Sequence, residues 1–294
     1  MVNSRSARIF AWALLAPAIL YVVIIVAYPL VETFRLSFTD ASLRKTVNYV
    51  GWTNYLKIFD ETFFQIILRT FTWTFFSVLM KMMIGMFGAV MLNAAVPGRH
   101  LFRVLTMPPW IVPMAIGIFM WGWMYNGQFG MISGVLQRLG LVDGPVAFLA
   151  YGHTAYWATI VTDVWIGVPM VTIYFLAAMQ SIPKDLYEAA WTDGASRWTR
   201  FRRITVPLMS PSIITMSMLS LIATFNSFDI IWILTQGGPN SETTTMIIDT
   251  YRTAIGSKKY GEGAARAVVI CIFLSLFCFA YFRITRRLAG DQKR

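Results

Sequence analysis

The sequence predicts an all-α, polytopic membrane protein with about six transmembrane helices, both termini cytoplasmic, and a two-part cytoplasmic helical element between spans four and five. Three observations carry this expectation. Hydrophobic residues make up 57% of the 294 residues, charged residues only 13%, and the mean hydropathy is +0.59. A soluble domain is nearer a quarter charged, so too few charges remain here to cover a water-exposed surface. Apolar runs of roughly 20 residues, each long enough for a hydrocarbon core of about 30 Å, recur along the chain. Basic residues cluster in alternate connections between those runs, the pattern of positive-inside topology.

The expected spans are Ile9–Leu30, Phe71–Val96, Val104–Met124, Tyr156–Met179, Ser212–Leu234 and Ala264–Ile284. The first follows Arg5 and Arg8 and exceeds the 7–15 residues of a signal-peptide core, so it reads as a retained span. Arg99 and Arg103 separate the second span from the third. Lys184, Arg197, Arg200, Arg202 and Arg203 separate the fourth from the fifth. Arg283, Arg286, Arg287, Lys293 and Arg294 close the chain. Six crossings place all of these on one side, with both termini cytoplasmic. The longer connections of mixed charge, Glu32–Thr70 and Thr235–Gly263, then face outward. Pro17, Pro29, Pro108, Pro109, Pro113 and Pro169 interrupt the spans. Such residues either kink helices for packing or break them along a solute path.

The formal charge of +11 is spread over termini and short loops, which argues against nucleic acid as a partner. Cys271 and Cys278 lie seven apart in one apolar run, roughly 10 Å along a helix, which is too far for a disulfide. His100 and His153 are isolated, and no Cys/His cluster has zinc spacing. No internal repeat or soluble domain-sized segment is evident. Residues 1–294 read as a single membrane domain.

The most informative segment is Ser181–Pro211, SIPKDLYEAAWTDGASRWTRFRRITVPLMSP. Pro183 and Asp185 suit a helix start, Asp185 lying at its positive pole. Leu186, Ala189, Ala190 and Trp191 make an apolar stripe, and Gly194 ends or turns the helix. Trp198, Phe201 and Ile204 follow at a spacing of three on a basic ribbon. These features predict two short helices at a right angle, lying parallel to the membrane. The residues alone allow either an interfacial helix on anionic lipid or a helix awaiting a protein partner.

This segment resembles the EAA loop of ATP-binding-cassette importer permeases. Glu188-Ala189-Ala190, Gly194, Ile204 and Pro207 stand at the family's spacings, within a loop spanning 181–207. Trp232–Pro239 (WILTQGGP) and Gly51-Trp52-Thr53-Asn54-Tyr55 look like segments of the carbohydrate-uptake branch, the maltose, glycerol-phosphate and trehalose type. The likeness covers almost the whole chain, although the extra N-terminal helices of the maltose protein are missing. It implies a permease subunit of a bacterial inner-membrane importer. Its partners would be a second permease, a cytoplasmic ATPase dimer carrying ATP and Mg, and an extracytoplasmic solute receptor, all in a lipid bilayer. The loop would dock on the ATPase through Glu188, Ala189, Ala190, Asp193 and Gly194. No Walker-type Gly-x-x-x-x-Gly-Lys-Ser/Thr occurs in the chain, so the energy source lies on another polypeptide.

The resemblance also implies a solute pocket built from Trp110, Met114, Asp163, Ile166, Gly167, Met170, Ser220, Thr224 and Ser227. Trp110/Met114, Asp163/Gly167/Met170 and Ser220/Thr224/Ser227 each fall at i, i+4 or i, i+4, i+7, which puts each set on one helix face. An aromatic plate with hydroxyls and a carboxylate suits a polyhydroxy solute. A carboxylate within a span costs about 2.5–3.5 kcal/mol or more, so Asp163 needs a solute, an ion-pair partner or a proton path. Lys81, inside span two, pairs with a carboxylate of a neighbouring helix or attracts an anionic solute such as a phosphorylated or sulfonated sugar. Asp229 lies near the outer end of span five. A sugar or polyol importer is the principal reading. An ion-gradient-driven transporter and a membrane-embedded enzyme are the alternatives. The first usually shows internal repeats, and the second requires clustered acid–base groups.

Overall fold

The computed structural model describes residues 4–43, 47–94 and 99–291. Lys293 and Arg294 of the basic tail, and Ala95 and Val96 at the end of the expected second span, lie outside the described residues. The helices are α1 (Ser4–Val22), α2 (Tyr28–Leu36), α3 (Thr53–Ile58), α4 (Glu61–Asn93), α5 (Arg99–Thr106), α6 (Pro108–Ile111), α7 (Met114–Met124), α8 (Met131–Arg138), α9 (Gly152–Gln180), α10 (Lys184–Thr192), α11 (Arg197–Arg200), α12 (Val206–Phe225), α13 (Asp229–Leu234), α14 (Met246–Tyr251) and α15 (Tyr260–Asp291). Single π turns at Val23–Ala27, Phe201–Thr205 and Arg252–Gly256 join α1 to α2, α11 to α12, and extend α14. Among the described residues the only β feature is an isolated bridge between Thr39 and Tyr49.

Among the described residues, five helical stretches are long and apolar enough to cross a membrane: Phe10–Leu36, Glu61–Asn93, Gly152–Gln180, Arg197–Phe225 and Tyr260–Arg283. The third expected span is interrupted. Val104–Met124 is divided among α5, α6 and α7, with Val112 and Pro113 in extended conformation. Pro108, Pro109 and Pro113 lack the N–H needed to continue a helical ladder, and proline disfavours a helical residue before it. The fifth expected span is also shorter than its apolar pattern. α12 stops at Phe225, and α13 resumes only at Asp229. Finally, the second short helix after Gly194 is not a separate element. α11 runs through its π turn into α12, making one continuous stretch from Arg197 to Phe225.

The chain divides into two compact units, Met1–Phe64 with Asp249–Phe273, and Gln65–Ile248 with Leu274–Arg294. The first is stitched by polar contacts around the Gly51–Tyr55 motif. Asn54 Nδ2 donates to the carbonyls of Ser37 (2.9 Å) and Thr39 (2.8 Å), Tyr55 OH meets Ser37 Oγ at 2.7 Å, and Arg266 Nε binds Asp249 Oδ2 at 2.7 Å. Phe38 sits among Phe34, Trp52 and Tyr55.

The second unit is organised on α9, half of whose apolar window is buried, against 28% for the window on α4 and 17% for that on Arg197–Phe225. Its C-terminal half packs Val171, Phe175, Leu176 and Met179 on Ala89 and Leu92 of α4 and Met209 and Met216 of α12. Its other half packs Ile160 and Val164 on Trp73, Ile231 and Ile248. Small residues set the spacing of α4 and α9. A Cβ on Gly85 would stand 2.5 Å from Val171 Cγ1, and one on Gly88 would stand 3.0 Å from Thr172 Oγ1. Close backbone approach through small residues is the usual way membrane helices gain packing where lipid supplies no hydrophobic drive.

Candidate functional site: a coupling element and a buried charge pair

The segment between α9 and α12 is built as its residues dictate. Pro183 caps α10, with Asp185 in the first turn, where an anion meets the positive helix pole. At the other end Gly194 adopts φ +76°. Gly194 N donates to Trp191 O at 2.9 Å and Ala195 N to Ala190 O at 2.9 Å, the paired bonds of a Schellman stop. Asp193 is the last residue before that stop. Ser196 then opens α11, its Oγ accepting from Thr199 N at 3.1 Å.

α10 is tied to the start of the long helix by Tyr187, whose hydroxyl meets Thr205 Oγ1 at 2.9 Å. Tyr187, Phe201 and Ile204 pack on the core formed by α4, α9 and α12. Glu188, Ala189 and Leu186 are exposed, and Trp191 is 70% exposed. Of the three apolar residues expected on the basic ribbon, Trp198 is exposed and stacks on Phe201 with ring centroids 5.7 Å apart. The result is an exposed helix with an apolar side, joined through Tyr187 to the start of the Arg197–Phe225 helix. Tyr187 and Thr205 were not singled out by sequence reasoning.

Deeper in the same unit the structure brings four expected site residues together. Lys81 Nζ lies 2.6 Å from Asp163 Oδ2 and donates to Thr224 Oγ1 at 3.0 Å. Both charged side chains are more than nine-tenths buried, at 8% and 7% exposure. The Lys81–Asp163 contact is a close charge contact outside hydrogen-bond alignment, so the directed bond of Lys81 goes to Thr224. Gly167 makes room for this: a Cβ there would stand 2.7 Å from Lys81 Cε. Thus α4, α9 and α12 meet at one compensated pair of charges. Ser220, one turn before Thr224, is also buried.

The remaining expected pocket residues are not gathered there. Trp110 is 57% exposed and Met114 and Met170 are also exposed, while Ile166 is half-buried. Ser227 does not share a helix face with Ser220 and Thr224, because α12 has already ended at Phe225; its N–H closes a turn onto Thr224 O at 3.0 Å. Asp229 is exposed in the first turn of α13. Among the described residues no group of three or more His, Cys, Asp or Glu is placed to hold a metal.

Residues 62–294 match the family described as binding-protein-dependent transport system inner membrane component. A probable ABC transporter permease protein of Brucella suis is 33% identical over 282 residues, covering 95% of this chain and 98% of the relative. The trehalose/maltose transport system permease protein of Thermococcus litoralis is 32% identical over 284 residues, covering 96% of this chain and 95% of the relative. Among solved structures, a chain of a bacterial alginate ABC transporter in complex with an alginate pentasaccharide-bound periplasmic protein has the same fold, with a TM-score of 0.84 at 22% identity and 96% coverage of both chains. The chain therefore belongs to the family of binding-protein-dependent inner-membrane transport components. It is a multi-pass permease subunit of an ABC importer, a transport component and not an enzyme.

Proposed function

We propose that this permease moves a neutral sugar, sugar derivative or polyol into a bacterial cytoplasm by alternating access, its 294 residues acting as one permease domain. Its partners are a second permease, a receptor on the outer side, and a cytoplasmic ATPase dimer that holds ATP and Mg. The carrying observation is the α10 element. An exposed helix ends at a glycine stop and is bonded through Tyr187 to Thr205 at the foot of a membrane-crossing helix. A push on α10 through Glu188, Ala189 and Ala190 is then delivered to α12, whose Ser220 and Thr224 face the interior.

A neutral solute is favoured by the Lys81–Asp163 contact. The charge that an anionic solute would need from Lys81 is compensated within the chain. The trehalose/maltose name of one relative supports the carbohydrate class. Trp110, Met114 and Met170, exposed on this chain, supply the stacking and apolar surface of a pathway completed by the second permease.

The test is ATPase stimulation and uptake by the assembled complex with a panel of receptor-bound neutral and acidic sugars. Neutral sugars should stimulate, and Gly194→Trp should abolish uptake while leaving insertion intact. Normal uptake by Gly194→Trp would sink the reading.

A further inference from the structure

A cleft of about 440 Å³ opens within the second unit where the ends of α4 and α9 meet α10 and the start of the Arg197–Phe225 helix. Its polar lining is Arg197, Arg200, Asn93, Tyr187 and Thr205, and its apolar wall includes Val90, Met179 and Phe201. The Tyr187 hydroxyl is already taken by Thr205. Among the described residues no carboxylate lines the cleft. Arg200 is half-buried, and its Nε is buried with no hydrogen-bond partner among the described residues. Such a group needs an explanation, because a buried unpaired donor on a charged side chain is costly.

The α4 terminus is one source of negative charge. Its carbonyl pole amounts to roughly half an elementary charge, against two full guanidinium charges. Most of the positive charge is left over. We propose that this cleft binds a phosphate group, the headgroup phosphate of an anionic phospholipid being the natural source at the foot of membrane-crossing helices. Two guanidinium forks match phosphate oxygens, the Asn93 amide offers a further donor, and Val90, Met179 and Phe201 give an apolar wall for the glycerol and upper acyl carbons. Basic pockets between spanning helices are a recognised way of holding anionic headgroups. The position is distinct from the exposed part of the coupling face, since Glu188 and Ala189 lie about 100° and 160° around α10 from Tyr187, while Ala190, about 60° away, is half-buried. A lipid bound here would brace α10 against α4, so its loss would loosen the element that drives α12. The assignment to the cytoplasmic leaflet rests on the topology of the proposed function, but the phosphate site does not.

Native mass spectrometry of the delipidated transporter complex, titrated with phosphatidylglycerol in a phosphatidylcholine background, tests this. The wild type should retain phosphatidylglycerol selectively, and Arg197→Gln/Arg200→Gln should lower retention at least ten-fold. Arg202→Gln/Arg203→Gln, exposed residues outside the cleft, should leave it unchanged. Arg200→Lys keeps the charge but not the fork, and should weaken retention several-fold in a folded complex. Displacement by millimolar inorganic phosphate would support the site and assign it to soluble phosphate; resistance to phosphate assigns it to lipid. Equal loss in both double variants, or full retention by Arg197→Gln/Arg200→Gln, overturns the proposal. The readout is binding, so a complex that retains lipid yet fails to import sugar would count against the import reading alone.

Discussion

Lys81 and Asp163 are the residues on which sequence and structure meet most directly. From the sequence, each is a charge in a span that requires a partner, and neither names the other. The fold supplies that name, because Gly167 lets the Lys81 stem lie across α9 and reach Asp163 at 2.6 Å. Breaking such a pair leaves an uncompensated buried charge, which costs about 3–5 kcal/mol, whereas replacing both partners by neutral groups of similar shape is often close to neutral. Lys81→Met alone and Asp163→Asn alone should therefore each lower the thermal stability of the purified complex substantially, and the double variant should recover most of the loss. A double-mutant cycle on the melting data measures the coupling. Additive losses would show that the two charges serve separate partners. A solute contact by Asp163 makes a further prediction: the double variant would be stable yet transport poorly. Thr224→Val removes the directed bond of Lys81 and should cost about 1.5–3 kcal/mol, the range for a hydrogen bond to a charged group.

At the scale of elements, glycine does two different jobs. Gly194 is needed for its backbone: it holds φ +76°, and a Cβ there would meet nothing within 4 Å. Strain, not crowding, is the penalty, about 1–2 kcal/mol for an ordinary residue in the left-handed region. Gly194→Asn should accordingly retain more coupled ATPase activity than Gly194→Val, because Asn visits that region more readily. Equal activity in the two would remove the Schellman stop from the coupling argument. Gly85 is needed for space, with Val171 Cγ1 2.5 Å from its would-be Cβ. Gly85→Leu should destabilise α4 against α9 by about 1–3 kcal/mol through overpacking, read as a lower melting temperature in detergent.

The stop at Gly194 was legible because a single residue type marks it, whereas Pro108, Pro109 and Pro113 left a kink and a break both open, so the interruption of the expected span Val104–Met124 was not. The end of α12 at Phe225 was not legible. Its apolar pattern continues through Ile230, Ile231 and Leu234, so hydropathy alone carries the span too far. The continuity of α11 into α12 escaped for the opposite reason. The arginines at 200, 202 and 203 read as the basic ribbon of a separate short helix, but they belong to the first turns of a crossing helix that passes a π turn on its way in.

For the whole molecule, the crossing count turns on α5, α6 and α7. α7 alone is 11 residues, about 16 Å by helical rise, against a hydrocarbon core of about 30 Å. It completes a span only together with α5 and α6, bent at Val112 and Pro113. If it does not, the segment enters and leaves on one side and the chain crosses five times. Two positions separate these outcomes. Gly144 lies between α8 and α9, where a Cβ meets nothing within 4 Å, and Ser196 is exposed at the start of α11. Only the single helix Gly152–Gln180 separates them by crossing, so they face opposite sides. With Cys271 and Cys278 replaced by serine, Gly144→Cys should react with an impermeant maleimide on intact cells, and Ser196→Cys only after permeabilisation. A tag at the N-terminus should then share the side of Ser196, because four crossings lie between them if the broken segment spans the membrane. A tag on the side of Gly144 would mean three crossings, make α5–α7 re-entrant, and place the proline bend inside the bilayer as a surface facing the solute path or the second permease.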